Sequence, residues 1–309
     1  MIVVFGSINL DLIVRVMRLP RAGETVAGDH FSAQPGGKGA NQALAAHRAG
    51  VKTALVGAVG NDAFSAPALA ALAKAGVDVS LVRRVSTATG VAMVQVGAGG
   101  ENSITVVAGA NGQASGADVP DSWLNPATIV VLQFETPLAT VIEFAARAHA
   151  KGARVLLNAA PAHAFSESLL ESVDVLVVNE IEADALAAHF GLPGLPEAFV
   201  AAVHRRFGIT AIMTLGAQGA LAAADGQRMR VPAPTVQVRD TTGAGDAFTG
   251  ALAAALDRRS PWRQALAEGV AAGSLACIGE GAQASLPTAA AIRRFSAGVL
   301  PLVVTSPID

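Results

Sequence analysis

Short apolar runs rich in β-branched residues alternate along this chain with longer alanine-rich segments of helical character. This alternation is typical of a mainly parallel sheet covered by helices on both faces. Strands are predicted at residues 2–5, 53–56, 129–132, 155–158, 175–178, 211–215 and 235–238. Helices are predicted at residues 40–49, 63–75, 138–150, 181–190, 244–256, 261–278 and 287–295. The predicted fold class is therefore α/β, with a doubly wound, mainly parallel sheet flanked by helices.

Two segments, 12–35 and 90–108, depart from this pattern. They contain strand-like runs interrupted by polar residues, at 13–16, 30–33, 91–96 and 103–107, with a glycine-rich turn at 97–100. Such runs are typical of antiparallel strands, and we expect them to form a small β-sheet lid. Because no repeat or low-complexity linker interrupts the chain, we predict a single domain over residues 1–309 that carries this lid.

Charge and hydropathy exclude several classes of partner. The 309 residues carry 22 Lys and Arg against 24 Asp and Glu, a formal net charge of −2, with no basic stripe to follow a nucleic-acid backbone. Mean hydropathy is +0.46, but every apolar run is interrupted before the roughly 20 residues that span a bilayer. We therefore expect neither nucleic acid nor a membrane as partner.

Cysteine content and the start of the chain bear on its compartment. Cys277 is the only cysteine, so no internal disulfide can form, and the chain opens on a strand-like run rather than a signal peptide. We expect the cytoplasm. The six histidines show no metal-ligand spacing, so zinc chemistry is not indicated.

The segment 236–252 runs from an alternating strand-like stretch through glycines into an alanine-rich helix. Glycines at 243 and 245 allow close approach of the backbone, and free amides at a helix start favour a phosphate. The loop Gly243, Ala244 and Gly245 is thus a candidate anion hole. Asp246 in the first turn is a candidate general base for a hydroxyl beside that phosphate. The alternative is a simple turn in which Asp246 only complements the helix dipole.

Polar side chains follow the first predicted strand. Asn9 and Asp11 lie at or just past its carboxyl end, where open α/β sheets bind ligands. A carboxylate and an amide together suit a vicinal diol. The alternative for either residue is an Asx-turn after the strand.

A second glycine-rich loop, 36–42, leads into another predicted helix. The amides of Gly37, Lys38 and Gly39 and the side chain of Asn41 would bind a small polar ligand there, although a glycine hinge for the lid is the alternative. Glu135 also follows a predicted strand, and it either binds a sugar hydroxyl or complements the helix that begins after Pro137.

Oxygen ligands cluster after the strand predicted at 175–178. Asn179 and Glu182 are candidates for a magnesium site, because Mg²⁺ binds through few carboxylates plus substrate phosphates. Glu180 and Asp184 are interpreted as dipole-complementing charges. The glycines at 216 and 219, after the next strand, would let a nucleotide bind against the backbone, but taken alone they indicate no more than a turn.

Several of these segments occur in the order found in the ribokinase family of carbohydrate kinases, which the chain resembles over essentially its whole length. The matching segments are 6–11 (GSINLD), 36–42 (GGKGANQ), 179–182 (NEIE), 214–216 (TLG) and 240–246 (DTTGAGD). The resemblance implies ATP-dependent phosphorylation of D-ribose at its 5-hydroxyl, and a homodimer formed through the β lid.

The resemblance also implies roles for single residues. Asp246 corresponds to the base, with the amides of residues 243–245 as anion hole. The residues corresponding to ribose ligands are Asn9, Asp11, Gly37, Lys38, Gly39, Asn41, Glu135 and Asp246, with Lys38 also able to approach the phosphates. The residues on the nucleotide side are Asn179, Thr214, Gly216, Gly219 and Gly245, with Glu182 acting on hydrated Mg²⁺. A monovalent cation, usually K⁺, is implied beside the anion hole, at Asp240, Thr242, Ala276, Gly279, Gly281 and Ser285.

The chain departs from the family pattern at a few positions. Val270 stands where a histidine is common near the adenine, Ala284 replaces a proline, and the pair 279–280 replaces a basic pair. Other acceptors stay open as alternatives, namely deoxyribose, a nucleoside or another sugar. A non-catalytic sugar sensor on the same fold is a further alternative, disfavoured because a sensor has no need of a base.

Overall fold

A computed structural model describes residues 1–308 of the chain, with fourteen strands and eight α-helices in that range. The strands are β1 (Ile2–Phe5), β2 (Asn9–Val16), β3 (Gly28–Gly36), β4 (Thr53–Gly60), β5 (Asp78–Val85), β6 (Gly90–Gly97), β7 (Asn102–Val107), β8 (Ile129–Leu132), β9 (Arg154–Asn158), β10 (Val175–Asn179), β11 (Thr210–Thr214), β12 (Ala220–Ala224), β13 (Gln227–Val231) and β14 (Val304–Pro307). The helices are α1 (Lys38–Arg48), α2 (Ser65–Ala75), α3 (Leu138–Ala150), α4 (Glu180–Phe190), α5 (Pro196–Phe207), α6 (Ala244–Asp257), α7 (Trp262–Ala276) and α8 (Ala289–Val299).

Ten of the strands form one large sheet in the order β14-β13-β12-β11-β10-β9-β8-β1-β4-β5. From β11 to β5 all neighbours are parallel, and β12, β13 and β14 add an antiparallel edge. The chain lays down β1, continues outward to β4 and β5, and then returns to β8 on the other side of β1. Such a change of direction opens a crevice at the carboxyl ends of the two central strands.

The large sheet is buried on both faces. Every residue of β1 and β8 is buried, which explains why these strands appear in the sequence as continuous apolar runs. One apolar core lies between the sheet and α1, α2, α6, α7 and α8, and a second lies between the opposite face and α3, α4 and α5. The predicted doubly wound α/β fold is confirmed, and β10 is an interior strand as predicted.

The other four strands form a small sheet in the order β3-β2-β6-β7. They correspond to the predicted lid segments, but their expected antiparallel arrangement is only partly right. β2 pairs with β3 and β6 pairs with β7 in antiparallel fashion, whereas β2 and β6 are parallel. The reason is topological, since β2 follows β1 and β6 follows β5, and both enter the small sheet from the carboxyl edge of parallel strands.

The strand predicted at 235–238 is wrong. These residues form no ladder, Val238 is exposed, and the adjoining backbone is held by single hydrogen bonds such as that from the Arg239 N–H to the Cys277 carbonyl oxygen (2.8 Å). The edge of the sheet beside β13 is occupied instead by β14, from the other end of the chain. Residue periodicity cannot reveal which segment occupies an edge.

Some elements were not predicted. β12 consists of alanine and leucine, a composition that favours helix, but it lies fully buried between β11 and β13 and is extended because tertiary pairing overrides local propensity. β5, β13, β14 and α5 are the other unpredicted elements. α5 begins with Pro196 at its first turn and ends before a left-handed Gly208, both ordinary helix boundary signals. Among the described residues, no helix is long and apolar enough to cross a membrane.

Candidate active site at the crevice of the central strands

The crevice beside β1 and β8 gathers most of the predicted site residues. Residues 7–9 leave β1 there, residues 133–135 leave β8, and the N-termini of α1 and α6 point towards the same place. Across this crevice the charges of Glu135 and Asp246 raise the pKa of Asp11, and the charges of Asp246 and Glu135 raise the pKa of Lys38. The fold thus brings together groups that are up to 235 positions apart in sequence.

Asp246 lies in the first turn of α6 and is only 7% exposed. Its Oδ2 accepts a hydrogen bond from Asn41 Nδ2 and its Oδ1 accepts one from Gln42 Nε2, both at 2.9 Å. Burial raises the pKa of Asp246 above its ordinary value, and the charge of Lys38 and the two amide donors oppose that rise. The carboxylate is therefore oriented, dry and more basic than a surface aspartate, as proton acceptance requires.

The loop before Asp246 has a backbone conformation that favours glycine. Gly243 is the N-cap of α6 with φ of 78°, and a Cβ on it would lie 2.9 Å from the Ala282 carbonyl oxygen. Gly245 is exposed, and a Cβ there would meet no atom within 4 Å. The helix start thus presents its free amides to open space, which suits an anion.

The second glycine loop packs directly against the end of β1. Gly37 has φ of 89°, and a Cβ on it would lie 2.8 Å from the Ser7 carbonyl oxygen. A Cβ on Gly39 would lie 2.5 Å from the Gly6 carbonyl carbon. These glycines are therefore required by close backbone packing, whether or not they also serve a lid hinge.

Glu135 is tied to this loop rather than to the helix that follows it. Its Oε2 accepts hydrogen bonds from Ser7 Oγ (2.5 Å) and from the Lys38 backbone N–H (3.1 Å). Burial lowers the pKa of the Lys38 ammonium, but the charges of Asp246, Glu135 and Glu182 outweigh it and leave that pKa raised. Lys38 is thus a fully charged cation among carboxylates.

Asn9 and Asp11 begin β2, the strand that connects the crevice to the small sheet. Neither forms the Asx-turn considered above. Asn9 Oδ1 accepts a hydrogen bond from Asn111 Nδ2 (2.7 Å), and a Cβ on Gly36 would lie 2.2 Å from Asp11 Oδ2. Burial, with the charges of Glu135 and Asp246, raises the pKa of Asp11 to about 7. The side-chain oxygens of Asn9 and Asp11, two positions apart on β2, are hydrogen-bond acceptors suited to the hydroxyl groups of a polyol.

The candidate nucleotide residues lie at the ends of β10 and β11, which are the second and third strands from β8 in the sheet. Asn179 and Thr214 are register partners, and Gly216 and Gly219 both have positive φ. A Cβ on Gly219 would lie 2.0 Å from the Val231 carbonyl oxygen, so its backbone conformation and packing both favour glycine. These positions form an adjoining edge rather than part of the crevice itself.

Asn179 and Glu182 form a reciprocal capping box at the start of α4. Asn179 Oδ1 accepts from the Glu182 N–H (2.9 Å), and Glu182 Oε2 accepts from the Asn179 N–H (2.8 Å). Burial raises the pKa of Glu182, and Lys38 lowers it. Both residues thus cap a helix. The charges of Lys38 and Asp246 also act on the pKa of Glu182, which indicates that its carboxylate lies near the same crevice.

The candidate potassium residues converge on one loop cluster. Asp240 Oδ1 accepts from the N–H and hydroxyl of Thr242 (2.9 and 2.6 Å), and its Oδ2 accepts from the Gly281 N–H (2.8 Å). The Ser285 hydroxyl is buried with no hydrogen-bond partner in the described chain. Carbonyls of this cluster already accept internal bonds, Ala276 from the Gly279 N–H and Gly281 from the Ser285 N–H. An oxygen-rich cluster with an orphan hydroxyl fits a monovalent cation.

Other important residues emerge only from the structure. Gln42, Gln133, Asn158 and Gln283 form a buried layer of amides behind Asp246, and Ser7 orients Glu135. The available signal was the presence of polar residues inside or next to continuously apolar runs, since buried polar groups must find partners. No group of three His, Cys, Asp or Glu side chains within residues 1–308 is arranged to hold a metal ion.

A cavity of about 460 Å³ lies beside Asn9 and Glu135. Its remaining lining is mostly apolar and comes from Val106, Ala108, Asn111, Gly112, Phe134, Thr136, Pro137, Leu138, Pro161 and His163. Because Val106 of β7 lines one side, the volume of this cavity depends on the position of the small sheet relative to the crevice.

The chain matches proteins that act on sugars. Residues 1–289 match the family model described as pfkB family carbohydrate kinase. The chain is 36% identical over 289 residues to a ribokinase of Haemophilus influenzae, covering 92% of this chain and 94% of that one. It is 37% identical over 301 residues to a ribokinase of Schizosaccharomyces pombe, covering 93% and 95%. A deoxyribokinase of Salmonella typhi is 35% identical over 298 residues, covering 93% and 95%.

Solved structures agree with this. A ribokinase of Thermotoga maritima superposes with a TM-score of 0.88 at 32% identity, over 96% of this chain and 98% of that one. The ribokinase of Arabidopsis thaliana complexed with ribose and ATP superposes with a TM-score of 0.87 at 33% identity, over the same shares.

Fold, crevice and relatives together define a phosphotransferase that acts on a sugar hydroxyl. The chain belongs to the pfkB family of carbohydrate kinases. Within that family, the relatives and structures that it matches over more than nine-tenths of its length include ribokinases.

Proposed function

We propose that this chain is an ATP-dependent kinase that phosphorylates D-ribose at its 5-hydroxyl. The observation that carries the proposal is the placement of Asp246, a buried carboxylate at the amide-rich start of α6, held by two amide donors and facing the acceptors Asp11 and Glu135. A base next to an anion hole and a diol-binding set is the arrangement that phosphoryl transfer to a sugar needs.

The proposed reaction assigns one role to each group. Asp246 takes the proton of the 5-hydroxyl, the sugar oxygen bonds to the γ-phosphorus of ATP, and the bond from that phosphorus to the bridging oxygen breaks, which leaves ADP. The amides of residues 243–245 stabilise the developing charge, and Lys38 adds a positive charge nearby. Asn9, Asp11, Gly37, Gly39, Asn41 and Glu135 orient the sugar, which raises the rate by positioning.

The nucleotide is assigned to the adjoining strand ends. Asn179, Thr214, Gly216 and Gly219 would contact ATP, and Gly245 would face its terminal phosphate. The support is that the ends of β10 and β11 share the sheet edge that carries the crevice. Val270 lies in α7 and is 4% exposed. In the proposed complex it would present an aliphatic side chain to the adenine.

Two cations belong to the proposal. Mg²⁺ would be held through water by Glu182, of which one carboxylate oxygen caps α4, and it would neutralise phosphate charge. K⁺ would be held by Asp240, Thr242, Ser285 and carbonyls of Ala276, Gly279 and Gly281, close to the anion-hole loop. The observation that favours this second assignment is the buried Ser285 hydroxyl, which has no hydrogen-bond partner among residues 1–308.

The assembly and compartment are also proposed. We infer a single domain with the small sheet as lid, a homodimer through that lid, and a cytoplasmic location. The dimer is supported by apolar side chains on one face of the small sheet, exposed at Ile104 and Val106 and half-buried at Ile13 and Val94. Soluble monomers rarely expose such a patch without a partner.

Deoxyribose is the second candidate acceptor. A deoxyribokinase is among the relatives at 35% identity, so the sequence as a whole does not separate the two sugars. The 2-hydroxyl distinguishes them, and the acceptors Asn9 and Asp11 at the start of β2 are candidates to bind it. An ADP-release assay with ribose, deoxyribose, hexoses, sugar phosphates and nucleosides decides the acceptor, and a preference for a nucleoside over ribose would overturn the assignment.

The substitution Asp246→Asn tests the base. We expect kcat to fall by about two to four orders of magnitude, because only the proton acceptor is lost, while ribose and ATP bind within a few-fold of normal affinity. Steady-state kinetics and calorimetric titration measure the two effects. Asp240→Asn is the matched control, the same change at a partly exposed aspartate outside the crevice, and it should bind ribose normally and show altered dependence on K⁺. Near-normal turnover of Asp246→Asn would refute the assignment.

A further inference from the structure

We propose that Gln42 is the positioning residue of this active site. Its side-chain NH₂ group donates a hydrogen bond to Asp246 and so keeps the Asp246 carboxylate oriented and ionised. The inference rests on the proposed role of Asp246 as base. Gln42 lies in the first half of α1, fully buried, and both its amide hydrogens and its carbonyl oxygen are engaged.

Gln42 makes three hydrogen bonds that use its whole amide. Its Nε2 donates to Asp246 Oδ1 and to Asn158 Oδ1, each at 2.9 Å, and its Oε1 accepts from Gln133 Nε2 at 2.6 Å. All four side chains are buried. A saturated amide in a dry environment is strongly held, because any rotation leaves several groups unpaired.

The direction of these bonds is set by the backbone. Asn158 Nδ2 donates to the Val177 carbonyl oxygen (3.3 Å), an atom that can only accept. Asn158 must therefore turn its Oδ1 towards Gln42, and Gln42 must turn its NH₂ towards Asp246. A flipped Gln42 would set its Oε1 against two acceptor oxygens. The Val177 carbonyl thus fixes the polarity of the chain of amides up to the carboxylate.

The other oxygen of the base has no such anchor. Asp246 Oδ2 accepts from Asn41, and Asn41 Oδ1 accepts from Gln283 Nε2 (3.1 Å), but the Gln283 Oε1 has no partner in the described residues. Within residues 1–308, no backbone acceptor fixes the orientation of that amide pair. Of the two donors, Gln42 is therefore the one that fixes the orientation and ionisation of the Asp246 carboxylate.

The charged groups around Asp246 come from several elements. They are Lys38 of α1, Asp11 of β2, Glu135 after β8 and Glu182 of α4. Burial raises the pKa of Asp246, Lys38 and the two amide donors lower it, and Glu135 raises it. Removal of one donor leaves burial less opposed, so the pKa rises further. Because only the ionised carboxylate can accept a proton, activity is then lost at a higher pH than in the parent.

The test is the pH profile of kcat for Gln42→Met, a change that keeps the length of the side chain and removes the amide. We expect the acidic limb to move upward by about one pH unit, the size of a lost hydrogen bond to a charged group. The KM for ribose should change less than about threefold, because Gln42 lies behind the carboxylate. Gln283→Met is the matched control, with a shift less than half as large.

The outcomes separate this inference from the proposed function. An acidic limb that does not move in folded Gln42→Met, or equal shifts in the two methionine variants, overturns the role of Gln42. Turnover that survives Asp246→Asn instead overturns the base itself. Asn158→Leu provides a second route if Gln42→Met does not fold. The Asn158→Leu change removes the acceptor that orients Gln42, so the Gln42 amide can flip. The acidic limb of the pH profile should then move upward by a smaller amount than in Gln42→Met. An acidic limb that does not move contradicts the proposal.

Discussion

At the scale of single residues, the glycines of the anion-hole loop differ in why they are glycine. Gly243 needs its φ of 78° and its contact with Ala282. Gly245 has an ordinary φ, is exposed, and has open space where a Cβ would be. Since alanine is the better helix former, nothing in the fold favours glycine at 245. A ligand that approaches this backbone closely supplies the missing reason.

Gly245→Ala separates the two explanations. We expect the free energy of unfolding to stay the same or to rise by about 0.5–1 kcal/mol, as for a glycine replaced inside a helix. We also expect kcat/KM to fall at least tenfold, because the methyl group occupies the space of the phosphate. Urea unfolding and steady-state kinetics measure these effects. Gly298→Ala in α8, exposed and equally free of neighbours, should show the gain without the loss. Full activity of Gly245→Ala would argue against phosphate at this loop.

At the scale of elements, the tight connection between β11 and β12 shapes the proposed nucleotide edge. Gly216 and Gly219 both have positive φ, but only Gly219 is crowded, with the Val231 carbonyl oxygen of β13 in the position of a Cβ. The connection therefore has one position limited by conformation alone and one limited by packing against the neighbouring strand.

This difference predicts unequal costs for the same change. Gly216→Ala should lower the free energy of unfolding by about 1 kcal/mol, the cost of a left-handed residue. Gly219→Ala should lower it by about 3 kcal/mol more, because the backbone of β13 must also move. Urea denaturation of the two variants compares them directly. Equal losses would mean that the strand edge yields to the methyl group.

At the scale of the whole molecule, one face of the small sheet carries an apolar row that is half-buried at Ile13 and Val94 and exposed at Ile104. Ile13 of β2 pairs with Val94 of β6, which pairs with Ile104 of β7, so these side chains stand side by side on one face. That face also carries Asp11, two positions along β2. An apolar face that continues outward from the crevice is suited to a second copy of the same sheet.

The proposed dimer predicts a difference between the two faces of one strand. Ile104→Lys should convert the dimer to monomers, measured by sedimentation or light scattering at micromolar concentration, because a charge would be buried in the interface. Thr105→Lys, the next residue on the opposite face and also exposed, should leave the dimer intact. A parent chain that is monomeric at all concentrations would refute the dimer.

The fold class, the central strands and the two glycine loops can be predicted from the sequence, because they depend on local periodicity and on backbone conformations that only glycine adopts readily. The sequence also indicated Asp246, Asp11 and Glu135, which follow predicted strands or begin a predicted helix.

Tertiary structure alone decided which segments share an edge or a contact. β12 is a strand in spite of its alanines, residues 235–238 are not, and β2 lies parallel to β6. The amides behind the base are the clearest case. Gln42 and Asn158 are 116 positions apart, and no local pattern states that they meet. Partners of buried polar groups are chosen by the packing of distant elements, so the environment of Asp246 could be seen only in the folded chain.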